Sequence, residues 1–204
     1  MIKKILFTSA FSAILFSAAA PAQVDGLSAV SAHLKSVTTM TASFAQTDRA
    51  GKTLNGVLTL KRPGKIRFQY EKGVPLLIVG DGKALTFVDY SVKQVQRWPI
   101  GNSPLGVLLD ANKDLARFAK IVPTDNPKIL LAEARDLKHP EYGVTTLAFL
   151  RDSGAPGGLM LQGWVTRDSQ GNQTSIRLSG QLFNGAVSDE SFKWRDPRPT
   201  SRGR

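Results

Sequence analysis

The chain has 204 residues, a formal net charge of +11 and no cysteine. The absence of cysteine excludes disulfides, thiolate nucleophiles, cysteine-ligated metals and a lipid anchor on an N-terminal cysteine. Part of the basic excess lies at the C-terminus, where one acid, Asp196, stands among Lys193, Arg195, Arg198, Arg202 and Arg204. We interpret this tail as solvated or attracted to acidic surfaces, and we expect no nucleic-acid binding because the N-terminus predicts export.

Residues 1–22 are predicted to be a cleavable secretory signal peptide. Lys3 and Lys4 precede an uncharged apolar run, and Ala20-Pro21-Ala22 has the A-x-A pattern of a cleavage site. The apolar run is shorter than the roughly 20 residues that a transmembrane helix needs. We therefore expect a single soluble domain, residues 23–204, outside the cytoplasm.

The first predicted elements are an amphipathic helix and a β-hairpin. Leu27, Val30, Leu34 and Val37 recur at helical spacing, with Asp25 as the expected N-cap and the Val37-Thr38-Thr39 run as the end of the helix. Two strands, residues 40–46 and 54–61, follow, and Gly56 predicts a bulge in the second.

A meander of antiparallel strands then runs from Leu58 to Trp98. Ile66, Phe68 and Tyr70 alternate with charged or polar residues, so they share one face of a strand. Residues 76–79 are apolar on both faces, which predicts a central strand covered on one side by a helix.

The second half of the chain predicts two helical pieces and further strands. Ser103 to Asp110 is a short helix too apolar to lie on water, residues 113–120 add a helical turn, and residues 121–127 are a loop. The later strands are predicted at 129–134, 144–150, 159–166, 174–183 and 192–194. About ten strands without βαβ alternation indicate an antiparallel sheet that curls into a barrel or half-barrel, with the helices over its open mouth.

The sequence contains no recognisable catalytic constellation. His33 and His139 stand in no motif, and a surface or satisfied histidine is the better interpretation of each. Asp81-Gly82 is explained as a hairpin turn rather than as half of a carboxylate pair with Asp89. We therefore expect no enzymatic activity, no cofactor and no metal site.

One face of the predicted sheet has more bulky apolar side chains than two short helices need. The residues are Phe44, Leu58, Leu60, Ile66, Phe68, Tyr70, Leu85 and Phe87. Two interpretations remain open from the residues alone: an ordinary barrel core, or a cavity that admits an apolar ligand.

Several motifs resemble the LolA family of periplasmic carriers of outer-membrane lipoproteins. They are Met40-x-Ala42-Ser43-Phe44-x-Gln46, Gly56-x-Leu58-x-Leu60-Lys61-Arg62-Pro63, Val79-x-Asp81-Gly82-Lys83-x-Leu85 and Ser103-Pro104 before an apolar helix. The resemblance covers the chain after the signal peptide and is most specific between Phe44 and Lys83. It implies a mainly β fold with some α: an unclosed antiparallel barrel with a lid of short helices.

The resemblance also implies a function and partners. A periplasmic monomer would bind lipoprotein acyl chains in a hydrophobic cavity, receive them from an inner-membrane ABC exporter of the LolCDE type, and deliver them to an outer-membrane receptor of the LolB type. The alternative on the same fold is a lipid-binding sensor or regulatory module that acts on a membrane partner.

Residue roles follow from the matched motifs. Arg62 matches the family arginine that bonds lid carbonyls and holds the empty form shut. The eight apolar residues named above become the cavity lining. The underside of the lid is expected to consist of Leu34, Val37, Leu105 and Leu108.

Overall fold

A computed structural model describes residues 20–100, 106–112, 114–136 and 140–199 of the chain. Within these residues, eleven strands form one antiparallel sheet in the order β6-β5-β4-β3-β2-β1-β11-β10-β9-β8-β7. The strands are β1 Thr39–Thr47, β2 Thr53–Lys61, β3 Lys65–Tyr70, β4 Leu76–Asp81, β5 Ala84–Asp89, β6 Gln94–Pro99, β7 Ala119–Val122, β8 Ile129–Arg135, β9 Val144–Arg151, β10 Leu159–Arg167 and β11 Gln173–Phe183. Since β6 and β7 are the two edges, the sheet is not closed, and the predicted unclosed antiparallel fold is confirmed.

Two helices cover the inner face of this sheet. Helix α1 spans Ala20–Ser36 and packs over β7, β8 and β10, while the short α2 spans Gly106–Leu109. The predicted end of α1 before Val37 is confirmed. Asp25 is not its N-cap, because the helix begins five residues earlier, at Ala20. The first 19 residues lie outside the described part of the chain, so the signal peptide stays a prediction.

The segment after α2 differs from its prediction. Only Leu115–Arg117 is helical, as a single 3₁₀ turn whose N-cap is Asp114. Residues 119–122, expected as helix and loop, form the edge strand β7 against β8. The pattern of Leu115 and Phe118 at a spacing of three was too short to determine where the helical turn ends.

Strand β4 is buried on both faces, as predicted, but no α-helix among the described residues covers its outer face. Leu77, Val79 and Val88 pack there against residues 187–194, which we name the C-terminal strap. The strap contains a 3₁₀ turn, Asp189–Phe192, so the predicted strand at 192–194 is wrong. Its apolar residues lie across the sheet face rather than pairing with a sheet edge, a difference that alternation does not reveal.

Charged side chains of β2 and β3 hold the strap. Asp189 Oδ1 lies 2.7 Å from Lys61 Nζ and 3.0 Å from Lys65 Nζ. Arg67 Nη1 donates to the carbonyl oxygen of Lys193 at 2.9 Å. The two ion pairs hold the pKa of Asp189 below its usual range. The meander is therefore covered by helices on one face and by the strap on the other.

Candidate functional site: the covered inner face

The inner face is one continuous apolar surface. Strand register places Leu58 opposite Phe68, and Phe68 opposite Ile78. Seven of the eight predicted lining residues are buried and belong to the main core cluster: Phe44, Leu58, Leu60, Ile66, Phe68, Tyr70 and Leu85. The alternation in the sequence thus identified which face of the meander is buried.

Phe87 lies at the rim of this surface. It is opposite Ile78 and Gln96, next to the edge strand β6, and is only half-buried. Its ring shares the inner face but stands outside the main core cluster. Trp98, on the edge strand, is 46% exposed.

Aromatic rings form the centre of the inner face. The Phe44 ring meets Phe68 edge-on at 5.3 Å between centroids and Tyr70 at 5.2 Å. Gly56 lies between Phe44 and Tyr70 in regular register without a bulge, and a Cβ there would stand 2.7 Å from Phe44 Cε1. The same Cβ would stand 2.2 Å from the Gln69 carbonyl oxygen, so the glycine makes room for both the backbone of β3 and the Phe44 ring. Burial raises the pKa of Tyr70 to about 12, and its hydroxyl donates to Gln46 Oε1 at 2.7 Å.

The C-terminal half of the sheet supplies lining that the sequence analysis did not name. Phe149 and Leu161 are buried there, and the Trp164 ring lies 6.1 Å from Phe68. A bulge between Leu161 and Gly163 brings Trp164 inward, three positions after Leu161 instead of two. Alternation along β9 could have identified Phe149 as an inward-facing residue. Trp164 could not be identified in this way, because the bulge interrupts the two-residue period of β10.

Three of the four residues predicted for the underside of the lid are buried. Leu34, Val37 and Leu108 are buried in the main core cluster, and Leu109 joins them. Leu105 lies outside the described residues. Helices α1 and α2 thus direct their apolar side chains onto the inner face.

Arg62 lies where the β2–β3 turn meets the end of α1. Its Nε–H donates to the Val37 carbonyl at 2.7 Å, and its backbone N–H donates to the Thr38 carbonyl at 2.8 Å. In the same turn, the N–H of Gly64 donates to the carbonyl of Leu109, at the end of α2, at 3.3 Å. One turn therefore contacts both covering helices.

The Arg62 guanidinium is half-buried. Burial lowers the pKa of Arg62, and the Asp110 carboxylate partly offsets this. Its Nη1 is buried and has no hydrogen-bond partner within the described structure. A guanidinium keeps its charge here because its ordinary pKa is so high.

A second attachment holds α1 at His33. The ring is buried, as the interpretation of a satisfied histidine predicted, and its Nδ1–H donates to the Pro156 carbonyl at 2.8 Å. Pro156 belongs to the loop between β9 and β10. In this loop Gly157 has φ +66°, and a Cβ there would lie 2.6 Å from the His33 backbone N and Cα.

Replacing Gly157 with alanine should therefore loosen α1. Alanine at positive φ costs about 1–2 kcal/mol, and overpacking against α1 adds about 1–3 kcal/mol. Gly158→Ala is the matched control, because φ is +74° there but nothing lies within 4 Å of a Cβ. Urea denaturation of both variants measures the difference. Equal losses of unfolding free energy in the two variants would show that Gly157 is not in close contact with α1.

The described residues contain no group of three His, Asp or Glu side chains placed to hold a metal. Of the helices described, none is long and apolar enough to span a membrane.

The family model for "Outer membrane lipoprotein carrier protein LolA" matches residues 35–195, which are most of the chain and include all eleven described strands. The chain belongs to the LolA family. This match confirms the family that the motifs between Met40 and Lys83 indicated. The matched span includes the β2–β3 turn with Arg62 and the C-terminal strap.

LolA relatives resemble the chain over most of their length. The outer-membrane lipoprotein carrier protein of Chromobacterium violaceum is 32% identical over 194 residues, covering 92% of this chain and 91% of its own. The protein of that name from Nitrosospira multiformis is 34% identical over 183 residues, covering 84% and 85% respectively.

Solved structures share the LolA fold at low identity. A LolA superfamily protein from Nitrosomonas europaea superposes with a TM-score of 0.50 at 12% identity, covering 83% of this chain and 97% of its own. An uncharacterized conserved protein from Thermus thermophilus gives 0.51 at 12% identity, covering 87% and 96%. These likenesses concern the fold alone.

Proposed function

We propose that this LolA-family chain carries outer-membrane lipoproteins, holding their acyl chains against the inner face of the sheet. The observation that supports this most is that one apolar face extends across both halves of an unclosed sheet and is covered by helices. A helix that is attached to the sheet at a few points can move aside without breaking any strand pairing. The eight predicted lining residues, together with Leu34, Val37, Leu105 and Leu108, would contact the cargo.

The structure corresponds to the closed form of such a carrier. The rings on its inner face are buried beneath the helices, so acyl chains would enter when the helices and rings are displaced. Each buried methylene of an acyl chain contributes about 0.8 kcal/mol, which offsets the packing lost on opening. Release to a receptor is possible because the closed packing competes with the cargo.

The cellular setting is part of the proposal. A signal peptide at residues 1–22 would export the chain to the periplasm, where it would act as a monomeric, non-enzymatic chaperone. The cargo would come from an inner-membrane exporter of the LolCDE type and pass to an outer-membrane receptor of the LolB type. Arg62 would hold the lid shut between these two steps.

The test is intact-mass spectrometry of the protein purified from its native periplasm. We expect a co-purifying lipoprotein that retains its acyl chains. Free phospholipid in its place would indicate another cargo, and an absence of any bound lipid would contradict the carrier function.

Two variants of β1 sharpen this experiment. Ala42 is buried and faces inward, so Ala42→Phe fills space that the acyl chains would occupy and should reduce the bound lipoprotein. Ala45→Phe adds the same ring on the outer face, where Ala45 lines a groove of about 430 Å³, and should leave binding unchanged. Since overpacking in the core costs about 1–3 kcal/mol, circular dichroism must first show that both variants are folded.

A further inference from the structure

Helix α1 is held near its C-terminal end by hydrogen bonds from both halves of the sheet, which include one from Asn184 Nδ2 to the Ser36 carbonyl at 3.0 Å. Arg62 belongs to the turn after β2, in the N-terminal half, and binds the Val37 carbonyl just beyond the helix. His33, one helical turn earlier, binds the Pro156 carbonyl in the loop after β9, in the C-terminal half. Helix α1 therefore bridges the two halves and depends on a bond to each.

The surroundings of His33 favour a neutral ring. The rings of Phe149 and Phe183 stand edge-on to it at 5.5 Å and 6.0 Å between centroids. A carbonyl oxygen only accepts, so the bond to Pro156 places a proton on Nδ1. Burial lowers the pKa of His33, although the carbonyls of Pro156 and Leu159 partly oppose this, and Arg62 lowers it further.

Arg62 is the charged group that acts on His33. The other charged side chains on or next to the elements that pack against α1 are exposed, apart from three carboxylates. Glu133 bonds Lys120 Nζ, Asp152 accepts from the Gly154 N–H, and Asp136 is half-buried just after β8. These exposed side chains are Asp114, Arg117, Lys120, Arg135, Arg151 and Arg167. No carboxylate among them is bonded to the ring, so a second proton on His33 would be uncompensated and would face the Arg62 cation.

We propose that His33 is a second fastening residue of the lid, which releases α1 when its ring becomes protonated. The closed form disfavours the imidazolium, whereas a displaced α1 exposes the ring to water, where it titrates near 6.5. The closed form therefore binds fewer protons than the open form. Consequently, the contribution of His33 to closure is fully present above about pH 6.5 and weakens as the pH falls below that value. Protonation also adds a cation beside Arg62, which couples the two fastenings.

The test measures amide hydrogen exchange in α1 of the purified protein at pH 7.5 and pH 5. Protection factors correct for the intrinsic pH dependence of exchange. In the wild type we expect the protection factors in α1 to fall about tenfold at the lower pH, because the open form binds a proton that the closed form disfavours. His33→Gln keeps an N–H donor for the Pro156 carbonyl but does not titrate, so its α1 protection should be the same at both pH values.

Three outcomes would overturn this role. They are an unchanged protection factor in wild-type α1, an equal fall in His33→Gln, and a fall in β2 and β3 as large as that in α1. The last outcome would mean that acid unfolds the whole domain. The significance of the release for cargo exchange rests on the proposed carrier function, but the exchange experiment contains no lipoprotein. The pH dependence of exchange in α1 would therefore remain valid if the carrier test failed, and the carrier function would remain supported if the exchange test failed.

Discussion

Replacing Phe68 with alanine should lower the free energy of unfolding by about 3–5 kcal/mol. Phe68 is 2% exposed and its ring contacts both Phe44, on β1, and Trp164, on β10. The substitution therefore leaves a void where the two halves of the sheet meet, and neither neighbour can fill it without losing its own packing. Guanidinium denaturation followed by circular dichroism measures the loss.

Phe87→Ala is the matched control for this prediction. It removes the same ring from the same face, but Phe87 is half-buried at the rim, so the loss should be less than half as large. Equal losses would mean that the interior is not packed around Phe68. A glutamate at position 68 would be a poor probe of cargo binding, since its carboxylate would be buried between the rings of Phe44 and Trp164 and would destabilise the fold itself.

Arg62→Leu should raise the population of the open lid about tenfold or more and impair lipoprotein transfer. The variant removes a charge-assisted hydrogen bond of about 1.5–3 kcal/mol and leaves the Val37 carbonyl without that donor. A factor of ten corresponds to about 1.4 kcal/mol. Hydrogen exchange in α1 measures the opening. Release of a lipoprotein from membranes, followed by its delivery to acceptor membranes, measures the transfer.

Arg67→Leu provides a stringent comparison. The Arg67 guanidinium is also partly buried and also bonds carbonyls, those of Ser191 and Lys193, but on the outer face. This variant should loosen the strap and leave exchange in α1 and lipoprotein transfer near the wild-type level. Transfer that is unaffected by Arg62→Leu, or equally affected by Arg67→Leu, would remove the basis for the role of Arg62.

The alternation of side chains was sufficient to predict the meander. Ile66, Phe68 and Tyr70 face inward because a strand has a period of two, and nothing interrupts that period between Lys65 and Tyr70. The first helix could also be predicted from its spacing, and its end at the Val37-Thr38-Thr39 run followed from the β-branched residues. Its beginning was not, because Asp25 has the chemistry of a cap but lies inside a helix that starts earlier.

Features that depend on distant contacts could not be read from the sequence. Trp164 faces inward only because of the bulge before Gly163, where a Cβ would stand 2.0 Å from the Ile176 carbonyl oxygen. The attachment of His33 to Pro156 joins residues 123 positions apart. For Arg62, the matched motif indicated a carbonyl partner, and only the folded chain identifies it as Val37.

The C-terminal strap has a consequence for how a carrier withstands repeated opening. Residues that line an interior lose their mutual packing whenever cargo displaces them, so they cannot be the sole support of the wall that they form. Leu77, Val79 and Val88 contact Phe192 on the other side of β4 from the interior, so displacement of the interior side chains would not by itself break these contacts. The contacts with the C-terminal strap therefore stabilise the meander independently of the packing in the interior.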